Sequence, residues 1–590
     1  MFLITTADQR FWRTDEPILF LGEWCKIFSQ RSVWEKLSYE VLPYHWDDRK
    51  KLYKDYLYLQ KLYERILPLL SKCLNQIHDV DHSVRYWRII IGPWLYYFIQ
   101  VLYDRYQLII YAERCGKVTD TLITKCEQGN CSPRDFREFD KWVETDQYNH
   151  YLYSRIIEYQ NRFPFSIFEE ETDIDAKATD TNNKKMPLFV NRTLRLFFTK
   201  LYEKLTNACS NKVTLVSVGL DTWDLVKLHL SLHQLPYLSS PTVIFQRSEI
   251  DLGLREKLSY SASDNEFEQM LFKMIKDQIP TVYMEDYHQA NQLSLDSYPK
   301  RPELIVTSFA FNSNDTFKFW AAHHVDRGIK FVGTQHGGHD GTGLWSATED
   351  HEIRIFYKFF TWGWKLNGND NIKPFPSAKL NKASKSRPKR DGNILLVLCA
   401  IPRYSYHMYS IIVSASGFKA YLHEQYRFVS TLTDENKKLL LVRLYLHDYG
   451  WSQKDRWKTE FPEIECYLGN KSLMNQLNES RLFIGTYNAT TYLETFAVNF
   501  PTVLFWNPEH WEIRPKAKPY FEELHRVGIL HYTPESAAAK VNEISEDPIS
   551  WWHQTEIQEA KDQFCFQFAR TSDNWLREWR SELLNMAQNS

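Results

Sequence analysis

The sequence predicts an α/β protein built as two facing Rossmann-like domains. A chain of 590 residues is longer than one hydrophobic core normally serves, so at least two domains are expected. Short runs rich in Val, Ile and Leu alternate with segments of helical periodicity, which is typical of a parallel sheet with right-handed crossovers. Several runs are apolar throughout, as strands covered on both faces should be.

The first domain is predicted over residues 1–375. Between about residues 47 and 170, apolar and aromatic residues recur at helical spacing and predict a helical insertion. The polar stretch Asp173–Lys185 predicts a surface loop, and a helix is expected at Thr316–Val325. Its strands are predicted at Phe2–Thr5, Ile18–Leu21, Val213–Val218, Leu304–Thr307 and Lys330–Thr334.

The second domain is predicted over residues 390–550, after a linker rich in Lys, Ser and Pro around residues 376–390. Residues 551–590 carry aromatic side chains at helical spacing, and we expect them to form helices that pack back on the first domain. The strands of this domain are predicted at Asn393–Cys399, Leu439–Leu444, Leu482–Gly485 and Thr502–Phe505.

The overall charge and the hydropathy pattern exclude several classes of protein. A net charge of −2 argues against a nucleic-acid binder, which normally carries a basic surplus. The most apolar stretch, Ile89–Leu102, has 14 residues, whereas a membrane span needs about 20. The chain opens with no secretory signal. We therefore expect a cytoplasmic protein with at most peripheral membrane association, at the inner face.

A glycine-rich turn follows the predicted strand Lys330–Thr334. Glycines beside His336 allow a close approach to a ligand, and an imidazole at a strand end can contact a phosphate or move a proton. The alternative is a turn that is rich in glycine and carries its histidines by chance. Carboxylates follow at Glu349, Asp350 and Glu352. The candidates here are His336 and Asp340 for catalysis, and Gln335, Gly337 and Gly338 for substrate binding.

A second strand-ending loop, Gly485–Glu494, leads into a predicted helix. A helix N-terminus lined by hydroxyl groups binds anions readily, although ordinary N-capping would explain the same residues. We expect a nucleotide phosphate to be bound by Thr486, Asn488, Thr490 and Thr491, and the ribose to be bound by Glu494. Further along the chain, Trp511 could stack on a base or a sugar, and Arg514 could pair with a phosphate.

Other charged residues are predicted at strand ends. Arg403 and Arg443 are candidates for the donor phosphate, and a surface ion pair is the alternative for each. In the first domain, Asp8 and Asp221 are candidates for base or nucleophile, and Arg10 and Glu23 for substrate binding. No P-loop, GxGxxG, GxSxG or HExxH motif occurs, and the Asp173–Asp175 pair lies in a polar stretch. This pattern predicts an enzyme without metal or cofactor, in which Arg, His and a helix dipole neutralise the donor phosphate.

Four segments carry a family resemblance: the opening FLITTADQRFW with LFLGEWC, then YWRIIIGPWL, GTQHGG with TWGW, and TYNATTYLETFAVNFPTVLFW. They resemble a family of transferases from the surface-polysaccharide (lipopolysaccharide) loci of spirochaetes. The second half is also similar to GT-B glycosyltransferases, whose C-terminal domain holds the nucleotide and whose last helix crosses back to the first domain. Among GT-B enzymes, the chain most resembles those that use CMP-linked ulosonic acids. This resemblance implies a CMP-activated nonulosonic acid or Kdo as donor.

Together, these observations predict a glycosyltransferase that moves a sugar from a nucleotide sugar to a glycan or lipid-linked glycan of the bacterial surface. Two enzymes of the same architecture remain open as alternatives, a sugar-nucleotide epimerase and a CDP-polyol phosphotransferase. A glycan-binding scaffold without catalysis is a third. An epimerase would need no acceptor, and a scaffold would bind no nucleotide.

Overall fold

The computed structural model describes residues 1–125, 131–168, 212–258, 263–382 and 387–588. Within these ranges the strands form three parallel sheets, two of five strands and one of six. The α/β class with parallel sheets is thus confirmed, and the first half of the chain contributes two sheets. The loop predicted at Asp173–Lys185 lies outside the described residues.

The first sheet has the strand order β3-β2-β1-β4-β5, which is the Rossmann order without its sixth strand. Two long helices, Arg49–His78 and Val84–Arg114, connect β3 to β4 and form the core of the predicted insertion. Strands β4 and β5 also fall within residues 47–170, so this range is not helical throughout. The strands are Phe2–Ile4 (β1), Ile18–Phe20 (β2), Tyr39–Val41 (β3), Asp120–Thr124 (β4) and Ser166–Phe168 (β5).

The apolar run Ile89–Leu102 lies inside the helix Val84–Arg114, and every residue of the run is buried. This helix packs against Arg49–His78 on one side and against Asp315–Val325 on another. Protein contacts on several sides therefore explain its hydrophobicity. No helix in the described part of the chain is long and apolar enough to cross a membrane.

The second sheet has the sequential order β10-β9-β8-β7-β6. Its strands follow one another across the sheet, and each crossover adds the next strand on the same side. Three of its strands match the predicted runs closely, because continuous apolar runs mark strands buried on both faces. The strands are Val213–Val216 (β6), Leu304–Thr307 (β7), Lys330–Thr334 (β8), Lys358–Thr361 (β9) and Ile372–Pro374 (β10).

The third sheet has the order β13-β12-β11-β14-β15-β16, which is the complete Rossmann order of six strands. The first and second sheets both lie within residues 1–375, and the third lies within residues 390–550. The strands are Asn393–Val397 (β11), Leu440–Leu444 (β12), Glu465–Leu468 (β13), Ser480–Gly485 (β14), Thr502–Phe505 (β15) and Leu530–His531 (β16).

Helices cover the sheets, and the last two lie on different ones. The helix Thr555–Phe568 packs against Lys518–Arg526 beside the third sheet, whereas Trp575–Gln588 packs against Thr222–Ser231 and β7 of the second. The other helices are Arg31–Trp34, Phe136–Trp142, Asp146–Gln160, Leu252–Glu256, Glu266–Gln278, Tyr287–Ser297, Ala310–Ser313, Ala347–Ile355, Ala415–Thr431, Asp434–Lys438, Gln453–Glu460, Leu473–Leu477, Thr490–Ala497, Pro534–Ile544 and Pro548–Trp552.

An arginine joins the first sheet to the third. Arg403 follows β11, and its guanidinium pairs with the Asp146 carboxylate at 2.8 Å. The same guanidinium donates to the carbonyl oxygen of Trp24 at 2.8 Å and to that of Tyr449 at 3.2 Å. Arg403 is buried, so its charge depends on these partners. Its side chain is a link between domains in this structure.

Removing one partner of this buried pair should destabilise the protein. We expect Asp146→Asn to cost about 3–5 kcal/mol, because it leaves the Arg403 charge buried without a counter-ion. The matched control is Glu535→Gln, which breaks an exposed pair with Arg427 and should cost at most about 1 kcal/mol. Thermal unfolding measures both, and equal shifts in the two midpoints would contradict the assignment.

Candidate functional site

The carboxyl ends of the second and third sheets meet at one cleft. Strand β8 leads into residues 335–341, named here the His336 turn, and β14 leads into the helix Thr490–Ala497. The backbone N–H of Gly338 donates to the hydroxyl oxygen of Thr490 at 3.0 Å. A Cβ added at Gly338 would lie 2.9 Å from the backbone of Ala489, so glycine permits this approach.

The third sheet has its topological switch point at the same place. Strands β12 and β13 extend to one side of β11, and β14 to β16 extend to the other. Open α/β sheets bind ligands beyond the carboxyl ends of strands at such a point. The helix Thr490–Ala497 starts here, and its N-cap residue Ala489 supplies no side-chain cap. The first N–H groups of this helix and its dipole are therefore suited to an anionic ligand.

Gln335 is buried and fixes the His336 turn from within. Its amide oxygen accepts the backbone N–H of Trp362 and the indole N–H of Trp364, each at 2.8 Å. Its amide nitrogen donates to the carbonyl oxygen of Gly337 at 2.7 Å. These bonds occupy the amide within the protein, so Gln335 acts here by positioning the turn.

His336 lies at the end of β8 with about 30% of its side chain exposed. Its ring contacts Phe309, with the ring centroids 4.6 Å apart, and Phe309 itself is partly exposed. Burial lowers the pKa of His336, the nearby Lys379 lowers it further, and Asp340 opposes both. The neutral imidazole is therefore favoured near neutral pH.

Three carboxyl groups are buried behind His336; we call Asp340, Glu349 and Glu352 the carboxyl cluster. Glu349 is paired, because it accepts the Gly341 N–H at 2.7 Å and a guanidinium N–H of Arg514 at 2.8 Å. Burial and the charge of Glu352 hold the pKa of Asp340 well above its usual range. Burial and the charge of Glu349 do the same for the pKa of Glu352.

The other predicted residues of the β14 loop are engaged mainly within the protein. Thr486 donates to the carbonyl oxygen of Val397 at 2.8 Å and also bonds the hydroxyl of Tyr421. The remaining contacts are those of Asn488 with Tyr492, Thr491 with Tyr487, Glu494 with Lys379 at 3.9 Å, and Trp511 with Tyr487.

Two of the predicted arginines are also held by protein groups. Arg443 lies on β12 itself and bonds Gln476 and the carbonyl oxygens of Gly469 and Lys471. Arg514 donates to the carbonyl oxygen of Gly343 as well as to the carboxyl cluster. Like Arg403, both arginines use their guanidinium donors on neighbouring loops. Their roles as donor ligands stay predictions.

The candidates of the first half fall at two separate sheets. Asp8 and Arg10 follow β1 and pair with each other at 2.6 Å, and Glu23 follows β2 and pairs with Lys419 at 2.8 Å. Asp221 follows β6 and caps the helix Thr222–Ser231. Of the four predicted catalytic residues, the structure therefore brings together His336 and Asp340, whose Nδ1 and Oδ2 atoms are 3.9 Å apart.

Sequence comparison now gives the family. The chain matches the LIC12162 family transferase over residues 1–583. It belongs to this transferase family. No curated protein matches it.

Three similar solved structures are distant from this chain in sequence. MurG of Acinetobacter baumannii is 10% identical, with 54% of this chain and 79% of MurG covered at a TM-score of 0.29. A UDP-forming α,α-trehalose-phosphate synthase of Burkholderia xenovorans is 11% identical, with 57% and 82% covered at 0.29. WaaG, a glycosyltransferase of lipopolysaccharide biosynthesis, is 9% identical, with 51% and 95% covered at 0.25. The architecture of this transferase therefore rests on its own sheet topology.

Sequence reasoning missed a second carboxyl pair at the edge of the third sheet. Asp140 lies on the helix Phe136–Trp142, and Glu144 comes two residues after the end of that helix. Burial raises the pKa of each to about 7, and Glu144 adds to the shift of Asp140. Glu144 accepts the hydroxyl of Tyr406 at 3.2 Å and lies 3.3 Å from a ring nitrogen of His447.

The two neighbouring glycines of the His336 turn should differ sharply in their tolerance of alanine. Gly338→Ala places its Cβ against backbone atoms of Ala489 at 2.9 Å, which cannot rotate away. The nearest atom to a Cβ at Gly337 is the Thr490 hydroxyl oxygen at 3.9 Å, an ordinary contact. We expect Gly338→Ala to lower the thermal midpoint by several degrees, roughly 1–3 kcal/mol of overpacking. Gly337→Ala is the control, and equal stability of both variants would contradict the contact.

The Asp140–Glu144 pair predicts a dependence of stability on pH. Their pKa values of about 7 in the folded protein exceed the values of about 4 expected in the unfolded chain. At this pair the folded state therefore binds more protons than the unfolded chain, and the stability that the pair contributes should be lost as pH rises from about 4 to about 7.

The effect is measured as the thermal midpoint across that range. Glu144→Gln cannot ionise at this position, so its midpoint relative to that of the wild-type protein should rise as pH increases across the range. The control is Glu158→Gln at an exposed ion pair with Arg155, which should follow the wild-type slope. Parallel curves for Glu144→Gln and wild type would refute the assignment.

Proposed function

We propose that this transferase moves a sugar from a nucleotide-activated donor to a hydroxyl group of a bacterial surface glycan. One observation carries the proposal: the uncapped N-terminus of Thr490–Ala497 lies at the switch point of a Rossmann-order sheet and faces the His336 turn. A nucleotide diphosphate or monophosphate is the kind of anion that such a helix end binds. The membership of a transferase family supports a group transfer at this place.

In this proposal the nucleotide lies on the third sheet and its sugar points to His336. Arg403 and Arg443 bind protein groups, so the helix dipole and Lys379 are the positive elements left beside the donor phosphate. The neutral imidazole of His336 can donate a hydrogen bond to that phosphate. Phe309 offers an exposed aromatic face next to His336 for the sugar. Asp340 is then the predicted carboxylate nearest to the reacting end.

The reaction breaks the bond between the anomeric carbon and the phosphate oxygen, and it forms a bond to the acceptor oxygen. The leaving phosphate gains negative charge as the acceptor hydroxyl gives up its proton to a carboxylate, for which Asp340 is the candidate at this site. Hydrogen-bond donors whose positions are fixed before the reaction stabilise such charge most effectively. The bonds of Gln335 and Gly338 hold the His336 turn in place for this purpose.

The proposal extends to a CMP-activated nonulosonic acid or Kdo as donor and to a glycan or lipid-linked glycan as acceptor, at the inner face of the membrane. This part rests on the sequence resemblance described above. Metal independence stays a prediction, and the carboxyl cluster behind His336 bears on it.

Replacing His336 should remove a contact that acts on the transition state. We expect His336→Ala to lower kcat by roughly 100-fold or more. The donor is first identified from the thermal shift given by CMP, CDP, UDP and GDP, since ligand at about 100 times its Kd stabilises by about 2.7 kcal/mol. Transfer to an acceptor glycan is then measured with the matching nucleotide sugar.

His323→Ala on the helix Asp315–Val325 of the same sheet is the control and should keep wild-type turnover. Normal turnover of His336→Ala would contradict the role of the histidine. Donor conversion without any acceptor would instead favour an epimerase, and the absence of nucleotide binding would favour a scaffold.

A further inference from the structure

Three potential metal-ligand atoms converge behind the His336 turn. They are Nδ1 of His336, a carboxylate oxygen of Asp340 and one of Glu352, and all lie within 4.8 Å of one another. His336 Nδ1 is 3.2 Å from Glu352 Oε1 and 3.9 Å from Asp340 Oδ2. We infer that these three side chains form a binding site for a divalent metal ion.

The burial of these groups is the second observation that points to a ligand. Glu352 has no exposed surface and Asp340 has 5%. Among the residues that the structure describes, no hydrogen bond reaches either carboxylate oxygen of Glu352, Oδ2 of Asp340 or Nδ1 of His336. A buried carboxylate without partners is strongly disfavoured, so these atoms require a positive species between them.

No protein cation takes that place in the described part of the chain. Asp340 and Glu352 have His336 as their sole basic neighbour within ion-pair distance. Arg514 is close by, but its guanidinium is directed to Glu349 at 2.8 Å. The arginine thus neutralises the third carboxylate of the cluster and leaves the other two for an ion.

The spacing of the three atoms suits a single ion. Ligand nitrogen and oxygen atoms lie about 2.0–2.2 Å from Zn²⁺ and at similar distances from Mg²⁺. Two ligands of one such ion are therefore about 3–4 Å apart, the range of the two separations measured from His336 Nδ1. Small side-chain rotations would complete the approach of the two carboxylates.

The ligand types select the class of ion. Two carboxylates and one imidazole suit Mn²⁺ and Zn²⁺, because imidazole favours transition metals and carboxylates favour harder ions. Three protein ligands also leave coordination positions for water or for oxygen atoms of a bound ligand. If the proposed function holds, these would be phosphate oxygens of the donor, whose leaving charge the ion would stabilise.

The competing explanation is that bound protons, not a metal ion, neutralise Asp340 and Glu352. A direct measurement of metal binding separates the two explanations. The full-length protein is treated with a chelator and desalted, and Mn²⁺ or Zn²⁺ alone is then titrated by calorimetry and by electron paramagnetic resonance for Mn²⁺. We expect one ion to bind per chain and the thermal midpoint to rise with it. Because no nucleotide is present, the outcome is independent of the proposed function.

A pair of matched variants distinguishes coordination from simple attraction to negative charge. Glu352→Gln removes a ligand, and we expect it to weaken binding by at least about 100-fold. Glu349→Gln removes the same charge from the same helix but no ligand atom, and it should bind the ion within a few-fold of wild type. Asp340→Asn should resemble Glu352→Gln.

Folding is monitored in each variant without metal. Glu352→Gln should melt no lower than the metal-free wild type, since it removes a buried charge that has no partner, and it should gain no stability from Mn²⁺. Failure of the wild-type protein to bind either ion at millimolar concentration would overturn the inference. Equal binding by wild type and Glu352→Gln would overturn it as well.

Discussion

The buried amide of Gln335 is the interaction on which the cleft depends. It joins the turns that follow β8 and β9, because its oxygen accepts N–H groups of Trp362 and Trp364 while its nitrogen holds Gly337. The guanidinium of Arg514 in turn lies over the Trp364 ring, 5.5 Å from the ring centroid. A loop of the third sheet thus packs on a surface whose position depends on one side chain of the second. Loss of that amide would leave two buried N–H groups, those of Trp362 and Trp364, without this acceptor.

Polar pairs join the first sheet to the third, in addition to the buried apolar and aromatic contacts that the two sheets share. Arg403 with Asp146, Arg49 with Glu512 and Lys419 with Glu23 each connect distant parts of the chain at 2.7–2.8 Å. Such pairs add little net stability once their desolvation is counted, but a misplaced partner leaves a charge unpaired. They therefore fix how the domains meet, and they consume arginines that would otherwise be free for phosphates.

The sequence predicts individual strands better than it predicts their partners. Leu304–Thr307, Lys330–Thr334 and Thr502–Phe505 appear where their apolar runs place them, since burial on both faces leaves a local signal. That signal does not reveal which strands share a sheet, so the division of the first half into two sheets emerges only in three dimensions. The same limit applies to Arg403, whose position after a strand is readable while its partner Asp146 lies 257 residues away.

Asp340 and Glu352 of the carboxyl cluster lack the close cationic partners that several other buried carboxylates of the described chain have. Asp315 has Lys318 at 2.6 Å and the hydroxyl of Tyr283, and Glu285 receives two N–H groups of Arg255. These sites follow the rule that buried charges are paired. Asp340 and Glu352 depart from it beside the switch point of the third sheet and the uncapped start of the helix Thr490–Ala497. Local instability at a place of this kind is expected where function, rather than folding, selects the residues.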